Sequence, residues 1–458
     1  MPLPRRAELA AMSRLALPVV VAQVGLMLMG VVDTLMVGRV SSVALAAVAL
    51  GNLYFITIVV PASGTLMVLD PVVAQAVGAK DSEGIARGIQ RGVLLAAVLG
   101  VFASLLLIPV RSVLLLLHQP PALVPLASSY VLISILGVLP FLAFVVLRQS
   151  LQALGATRAL VGVIVVGNLA NALLNWVFVY GHLGSAAMGA PGSAWATCVS
   201  RWLMVFLLLA LGWRSLTSTL RPWRPETFHL APLRAMLRLG LPIGLQQGIE
   251  IGAFAAIGVL MGVLGTIEMA AHQIAINLAS LTFMVPLGVG AAAAVRVGHA
   301  AGAGNAEGAR ESARAALVCG VGFMMCTGVV FLFAPAAIAA WYTRELPVAS
   351  LAATLIPIAG VFQIFDGIQA VCAGVLRGLG DTRAPFVINL AGFWLAGFPV
   401  SIVLGFHTTL GAVGLWWGFV AGLGAVAFLL LLRMRHRMRG AIARTTMEED
   451  VMHFATDP

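Results

Sequence analysis

The chain has 458 residues, of which 61% are hydrophobic and only 10% are charged. A soluble chain of this length would divide into about three domains, but apolar runs of roughly 20 residues recur from end to end, as in a polytopic helical membrane protein. The formal net charge of +10 does not indicate a nucleic-acid partner, because no soluble domain is visible on which the cations could form a basic face.

Twelve apolar runs are each long enough to cross about 30 Å of hydrocarbon as a helix. They predict spans at residues 15–37, 50–76, 90–109, 126–147, 159–180, 192–212, 239–264, 273–297, 315–335, 350–375, 386–405 and 411–432. The predicted fold is an all-α integral membrane protein.

Lysine and arginine are distributed unequally between alternate connections. Twenty-three of the 27 lie in the N-terminal segment, the even-numbered connections or the C-terminal tail, whereas only Arg39, Arg111 and Arg344 lie in the odd-numbered connections. By the positive-inside rule, both termini are expected to be cytoplasmic. Arg5 and Arg6 also resemble the start of a signal peptide, but the apolar stretch that follows is longer than an ordinary h-region, so we expect it to be retained as the first span.

The first two spans each carry an acid. Asp33 lies about one turn from the outer end of the first span, where it could face a cavity or simply reach the lipid headgroups. Asp70 lies near the inner end of the second span, directly before Pro71, and there a structural or helix-capping role is favoured over transport.

Polar residues in the fifth span follow a helical period. Asn168, Asn171 and Asn175 are spaced at i, i+3 and i+7, so they form one polar stripe. The stripe could make interhelical hydrogen bonds, worth about 1–2 kcal/mol or less in model systems, or it could line a wet cavity. We favour the cavity slightly, because amide oxygens suit hard cations such as sodium. Arg201 is the only cation deep in an apolar run, where it could snorkel or pair with a carboxylate.

The second half of the chain repeats the first. LGLPIGLQQGIE from Leu239 matches LALPVVVAQVGL from Leu15, GAGNAEGAR matches GAKDSEGIA, both at an offset of 224, and GLGDTRA matches ALGATRA at an offset of 225. The repeat predicts two six-helix lobes, with the N-lobe at residues 1–212, a cytoplasmic linker at 213–238, the C-lobe at 239–432 and a cytoplasmic tail at 433–458. Transporters built from such parallel repeats work by rocking one half against the other.

The second half also carries acids deep in its spans. Glu250 lies eleven residues into the seventh span, one turn after Gln246, and in the tenth span Gln363, Asp366 and Gln369 share one face. A charge near the bilayer centre costs from about 3 to well over 10 kcal/mol, so such groups usually face a cavity on a substrate, ion or proton path. Asp366 is absent from the first half, where Phe141 stands at the same offset.

Buried acids of this kind could support exchange. A neutral carboxylic acid costs less to bury than a carboxylate, so the acid tends to hold a proton until a cation replaces it. Asp33, Glu250 and Asp366 could therefore bind either a coupling ion or a cationic substrate, and competition between the two is a physical basis for antiport.

Motifs of other classes are missing from the sequence. GAGNAEGAR lacks the Lys-Ser/Thr pair of a Walker motif and the spacing of a dinucleotide fingerprint. His272 and His299 have no partner at metal-binding spacing, and the four cysteines are taken as packing residues. We therefore expect neither an enzyme nor a primary pump, and no cofactor. A structural or receptor-like membrane protein would explain the duplication but not the buried acids.

Several blocks of sequence resemble the multidrug and toxic compound extrusion (MATE) family, in particular its bacterial NorM-like branch. They are MGVVDTLMVGRVSSVALAAVALGN, VAQAVGAKD, LRQSLQALGATR, NALLNWVFVYG, GLPIGLQQGIE and FDGIQAVCAGVLRGLGDTR, and together they cover nearly the whole chain. The resemblance implies a bacterial inner-membrane transporter that exports cationic or lipophilic compounds in exchange for sodium or protons. We expect it to be a monomer in the lipid bilayer.

The resemblance also implies roles for individual residues. It assigns the N-lobe acid to Asp33, the N-lobe asparagines to Asn171 and Asn175, and the C-lobe cation site, with possible sodium, to Glu250 and Asp366. Phe362 departs from the family, which often has tyrosine there, so a sodium site would have one oxygen fewer. A lipid-linked precursor flippase of the same superfamily is the alternative, but its anionic cargo would call for basic residues in the cavity.

Overall fold

The computed structural model describes residues 4–440, 442 and 444. Twelve helices in this part of the chain, α1 to α12, are long and apolar enough to cross a membrane. They are Arg6–Gly38, Ser42–Gly78, Ser82–Leu107, Val124–Ala153, Arg158–Tyr180, Ala190–Leu220, Leu230–Leu264, Thr266–Gly302, Ala306–Phe333, Leu346–Gly378, Arg383–Phe406 and Gly411–Arg439. The twelve predicted spans and the all-α fold are confirmed.

Three of the helices change their geometry part-way. A 3₁₀ turn interrupts α2 at Leu66–Val68 and α4 at Ile135–Gly137, and α11 is π-helical at Leu390–Gly397. Short helices occupy three of the connections, at Val110–Leu116, Pro225–Phe228 and Pro335–Tyr342.

Many helices are longer than the predicted spans, because the hydropathy signal ends at the edge of the hydrocarbon while the helical hydrogen bonds continue. Helix α3 begins at Ser82 rather than near residue 90. Its cap is Asp81, whose carboxylate accepts a hydrogen bond from the Gly84 amide at 2.8 Å. At the equivalent start of α9, Asn305 accepts from the Gly308 amide, also at 2.8 Å. The repeated sequence thus builds the same helix cap twice.

Contacts divide the described residues into two compact units. The N-terminal unit contains residues 21–77 and 81–244, and the C-terminal unit contains residues 4–20, 78–80 and 245 onward. Helix α1 passes from one unit to the other after Val20, two residues after Pro18, and α7 does so after Gly244, two residues after Pro242. The two crossings reflect the internal repeat, because they fall at equivalent positions in the two halves of the sequence.

In the C-terminal unit, α8 packs closely against α10. A Cβ atom on Gly374 would overlap the backbone of Gly290, and one on Gly378 would come within 2.5 Å of the Ala294 carbonyl oxygen. The two helices can approach this closely only because these positions carry no side chain. This contact fixes the position of α10, which carries Asp366.

The beginning of α1 is bound within the same unit. Glu8 Oε1 accepts hydrogen bonds from Arg296 Nε at 3.0 Å and from Ser312 Oγ at 2.7 Å. Because Arg296 belongs to α8 and Ser312 to α9, one carboxylate joins three helices.

In the N-terminal unit, one glutamine makes four hydrogen bonds to the segment between α6 and α7, which Arg91 also bonds through the Glu226 carbonyl oxygen at 2.9 Å. Gln90 of α3 is fully buried. Its amide nitrogen donates to the carbonyl oxygens of Thr219 at 3.0 Å and Pro222 at 2.9 Å, and its amide oxygen accepts from the Arg224 amide at 3.1 Å and from Thr227 Oγ1 at 2.7 Å. The connection between the two halves of the chain is therefore fastened to α3.

Candidate functional site

Asp33 lies inside the N-terminal unit and is only 7% exposed. Its Oδ1 accepts a hydrogen bond from Asn175 Nδ2 and its Oδ2 accepts one from Thr197 Oγ1, each at 2.6 Å. Asn171 Nδ2 donates to the same threonine hydroxyl at 3.4 Å. Helices α1, α5 and α6 thus meet at one carboxylate, and the headgroup interpretation of Asp33 is wrong because the side chain points into the helix bundle.

Two other polar residues of this unit bond elsewhere. Asn168 Nδ2 donates to the Ile164 carbonyl oxygen one turn earlier in α5, at 2.9 Å. The guanidinium carbon of Arg201 lies 4.9 Å from the ring centre of Phe55 and 5.1 Å from that of Phe141. Both rings lie within cation–π distance of its charged group, which also interacts electrostatically with Asp33.

In the C-terminal unit, Glu250 is held by an amide network. Gln369 Nε2 donates to Glu250 Oε2 at 3.2 Å and to Asn389 Oδ1 at 2.8 Å. Asn389 Nδ2 in turn donates to the Pro385 carbonyl oxygen at 2.8 Å. Gln246 is half-buried one turn before Glu250. The network joins α7 to α10 and α11, and Glu250 lies 119 residues before Gln369 in the sequence.

Asp366 is 4% exposed, one turn before Gln369 on α10. Its carboxyl group is close enough to Glu250 for the two to interact electrostatically. Within the described part of the chain, Asp366 Oδ1 and Gln369 Oε1 are buried without a hydrogen-bond donor. These two oxygens and the Glu250 carboxylate could accept a cation or a proton.

Gln363 serves a different contact. Its Oε1 accepts from Thr282 Oγ1 at 2.8 Å and its Nε2 donates to the Met324 carbonyl oxygen at 3.3 Å. Although it shares a helix face with Asp366, its amide ties α10 to α8 and α9.

Phe362 is fully buried in an aromatic cluster. Its ring centre lies 5.2 Å from that of Phe419, 5.8 Å from that of Trp416 and 5.9 Å from that of Phe254. Because its neighbours in this cluster are aromatic rings, Phe362 contributes packing. It has no oxygen atom to offer to a cation.

Asp70 is fully buried in the first turn of Leu69–Gly78. This segment follows directly on the 3₁₀ turn of α2, and the structural role expected for Asp70 stays a prediction. No group of three or more His, Cys, Asp or Glu side chains in the described ranges could hold a metal ion.

Sequence reasoning missed two members of these networks, Thr197 and Asn389. Thr197 gave no signal, because a lone threonine in an apolar helix commonly bonds its own backbone. Asn389 could have been found, since the Asn-Leu-Ala sequence at 389–391 repeats the one at 168–170 in the fifth span.

Comparison with known proteins identifies relatives along nearly the whole chain. The MatE family model matches two segments, residues 18–177 and 242–403. The multidrug resistance protein NorM of Burkholderia vietnamiensis is 39% identical over 447 residues, which cover 94% of each chain. The multidrug resistance protein MdtK of Edwardsiella ictaluri is 34% identical over 94% of this chain and 96% of its own.

Solved structures share the fold. The structure of a eukaryotic MATE transporter superposes with a TM-score of 0.86 at 24% identity and covers 95% of this chain and 98% of its own. An outward-facing multidrug resistance MATE transporter gives the same TM-score at 19% identity, with coverage of 94% and 96%. At these identities the likeness extends to the fold alone.

Proposed function

The chain belongs to the MatE family, and from this premise we propose that it is a secondary active multidrug exporter that exchanges cationic and lipophilic compounds for sodium ions or protons. Members of the family are transporters, so the chain is not an enzyme. The observation that carries the proposal is the pair of half-buried Glu250 and buried Asp366, in which Asp366 Oδ1 has no hydrogen-bond donor within the described structure.

The acid site at Asp33 and the one at Glu250 and Asp366 differ in whether a carboxylate oxygen remains without a hydrogen-bond donor. Both oxygens of Asp33 already accept hydrogen bonds from Asn175 and Thr197. Asp366, by contrast, keeps an oxygen without a donor in the described structure, next to a second acid. Two neighbouring carboxylates repel each other unless a proton or a cation lies between them. We therefore assign coupling-ion binding first to Glu250 and Asp366, and second to Asp33.

The cargo follows from the relatives and from charge. NorM and MdtK are named multidrug resistance proteins, and the acids described above would attract cationic compounds. A cation that neutralises the acid pair competes with the coupling ion for the same charge. Asn168 and Gln246, which are half-buried, would then contribute polar surface to the substrate path, whereas the buried amides of Asn171, Asn175, Gln363 and Gln369 would hold the helices around it.

The proposal also covers location and assembly. We place the protein in the bacterial inner membrane as a monomer, with both termini in the cytoplasm because 23 of its 27 Lys and Arg residues lie on that side in the predicted topology. The N-lobe of residues 1–212 and the C-lobe of 239–432, joined by the linker at 213–238, would provide alternating access.

Efflux of ethidium from cells expressing the protein tests the proposal. Sodium and pH gradients are imposed separately, and efflux is followed by the fall in fluorescence. We expect Glu250→Gln with Asp366→Asn to lower the gradient-driven rate by about 10-fold or more, because the exchanged charge is lost. Asp33→Asn should lower the rate and reduce its dependence on pH.

Glu268→Gln is the matched control, since Glu268 lies in the first turn of α8, beyond the end of the helix that carries Glu250, and its loss should leave efflux unchanged. Wild-type rates in the double variant, at equal protein levels, would exclude the acid pair as the coupling site.

A further inference from the structure

A groove of about 360 Å³ lies between α9 and the last turns of α12 in the C-terminal unit. Its lining is basic at the end of α12 and apolar further along the two helices. The residues that define it are Arg310, Arg314, Arg435 and Arg439 at the basic end, and Leu317 and Met434 at the apolar end.

The arginines at the end of α12 divide into two faces. Arg433 and Arg437 bind the Asp381 carboxylate, with Nε to Oδ2 distances of 2.9 and 3.4 Å. Arg435 and Arg439 are each two residues further on, so they project from the opposite side of the helix, toward the groove. Neither makes an ion pair within the residues that the structure covers. Two cationic groups at the groove are thus available to an anion.

The other two arginines of the groove, Arg310 and Arg314, make contacts with neighbouring residues. Arg310 Nε donates to the Met438 carbonyl oxygen at 2.8 Å, which fastens α9 to the end of α12. Glu307 lies 3.4 Å from Arg310 Nη1 and 3.6 Å from Arg314 Nη1. Since Glu307 is 60% exposed, these pairs contribute little attraction and leave the groove positive.

The apolar end of the groove leads to a hydrophobic surface. Val318 of α9 and Phe428 and Leu432 of α12 are exposed, by 42%, 61% and 44%. The basic residues lie just outside the apolar runs at 315–335 and 411–432, where lipid headgroups are expected. A ligand that fits would be anionic at one end and apolar at the other.

We propose that this groove binds an anionic phospholipid, with its phosphate on Arg435 and Arg439 and its acyl chains along α9 and α12. Basic pockets between spanning helices on the cytoplasmic side suit such headgroups. A free phosphate would leave the apolar end unused. The acidic residues Glu448, Glu449 and Asp450 of the tail are the competing occupant, but they carry no continuous apolar segment comparable to an acyl chain. This site is independent of the export proposal.

The test is lipid binding to the purified full-length protein in detergent, followed by native mass spectrometry. Phosphatidylglycerol and phosphatidylcholine of the same chain length are titrated separately. We expect phosphatidylglycerol to bind about 10-fold more tightly, and Arg435→Gln with Arg439→Gln to remove that preference. The control, Arg158→Gln with Arg383→Gln, removes two exposed arginines at the starts of α5 and α11 and should retain the preference.

Three results would overturn the proposal. The first is equal phosphatidylglycerol binding by the Arg435/Arg439 variant and the wild type. The second is competition by inorganic phosphate at concentrations similar to those of the lipid, which would make the free ion the ligand. The third is tight lipid binding only after removal of residues 445–458, which would mean that the tail occupies the groove in the full chain.

Discussion

At the level of residues, the two units differ in the acids that they carry and in the side chains that contact those acids. The Asp33 carboxylate accepts hydrogen bonds from Asn175 and Thr197, whereas Asp366 keeps an acceptor oxygen without a donor in the described structure and lies within electrostatic range of Glu250. Asp366 has no equivalent in the first half, where Phe141 instead packs against Arg201. The same scaffold position thus carries an acid in one unit and an aromatic ring in the other, so the two sites would respond differently to cations.

Phe362→Tyr tests whether a missing oxygen limits sodium coupling. Phe362 lies one turn before Asp366 on α10, where the MATE family often has tyrosine, so Phe362→Tyr restores the oxygen that the resemblance places in a sodium site. We expect the sodium concentration for half-maximal ethidium efflux to fall several-fold, while the proton-driven rate changes little. Phe393→Tyr is the control, because the Phe393 ring centre lies 5.7 Å from that of Phe419 in the same aromatic cluster. Identical sodium dependence in Phe362→Tyr and the wild type would show that the ring does not determine the ion.

The sequence predicted the acids and most of the amides, because a charged or amide residue in an apolar run is conspicuous. It could not predict which of them meet. Asn168 and Asn175 belong to the same stripe, yet only Asn175 reaches Asp33. Which asparagine reaches Asp33 depends on how α1 and α6 pack against α5. The spacing of residues within α5 cannot predict that packing.

At the level of elements, close helix contacts hold the acid pair in position. Gly374→Ala should lower the thermal unfolding midpoint of the purified protein, because the added Cβ would overlap the Gly290 backbone. Overpacking of this kind typically costs about 1–3 kcal/mol. Gly322→Ala is the control, since its Cβ would have no neighbour within 4 Å. Equal midpoints for the two variants would mean that α8 and α10 can separate without cost.

A second prediction concerns the segment between α6 and α7. Gln90→Leu removes four hydrogen bonds that fasten this segment to α3. We expect chymotrypsin to cleave after Trp223 or Phe228, two exposed aromatic residues of this segment, about 10-fold faster, which corresponds to a loss of roughly 1.4 kcal/mol in closing the segment. The assay is limited proteolysis of the purified protein.

Gln119→Leu provides the comparison, because Gln119 makes one exposed hydrogen bond, to the Leu117 carbonyl oxygen. If both glutamine variants were cleaved at the wild-type rate, Gln90 would not hold the connection. Hydropathy predicted a polar linker here but could not reveal that a buried glutamine makes four hydrogen bonds to it.

At the level of the whole molecule, the internal repeat accounts for the architecture. It produces matching helix caps at Asp81 and Asn305 and matching crossings of α1 and α7 between the units. The crossings were not predictable from the repeat alone. A repeat shows which positions in the two halves correspond, but it does not show which unit the end of a helix packs against. Duplication thus explains the scaffold, while the differing acids carry the proposed function.

The central claim is that cargo and cation exchange at the Glu250 and Asp366 pair. Its most direct test is transport in proteoliposomes containing only the purified protein, with ethidium movement and internal sodium or pH recorded together. We predict that ethidium movement in one direction drives sodium or protons in the other, and that Glu250→Gln with Asp366→Asn abolishes both movements. Ethidium transport at the wild-type rate without any movement of sodium or protons would contradict the claim.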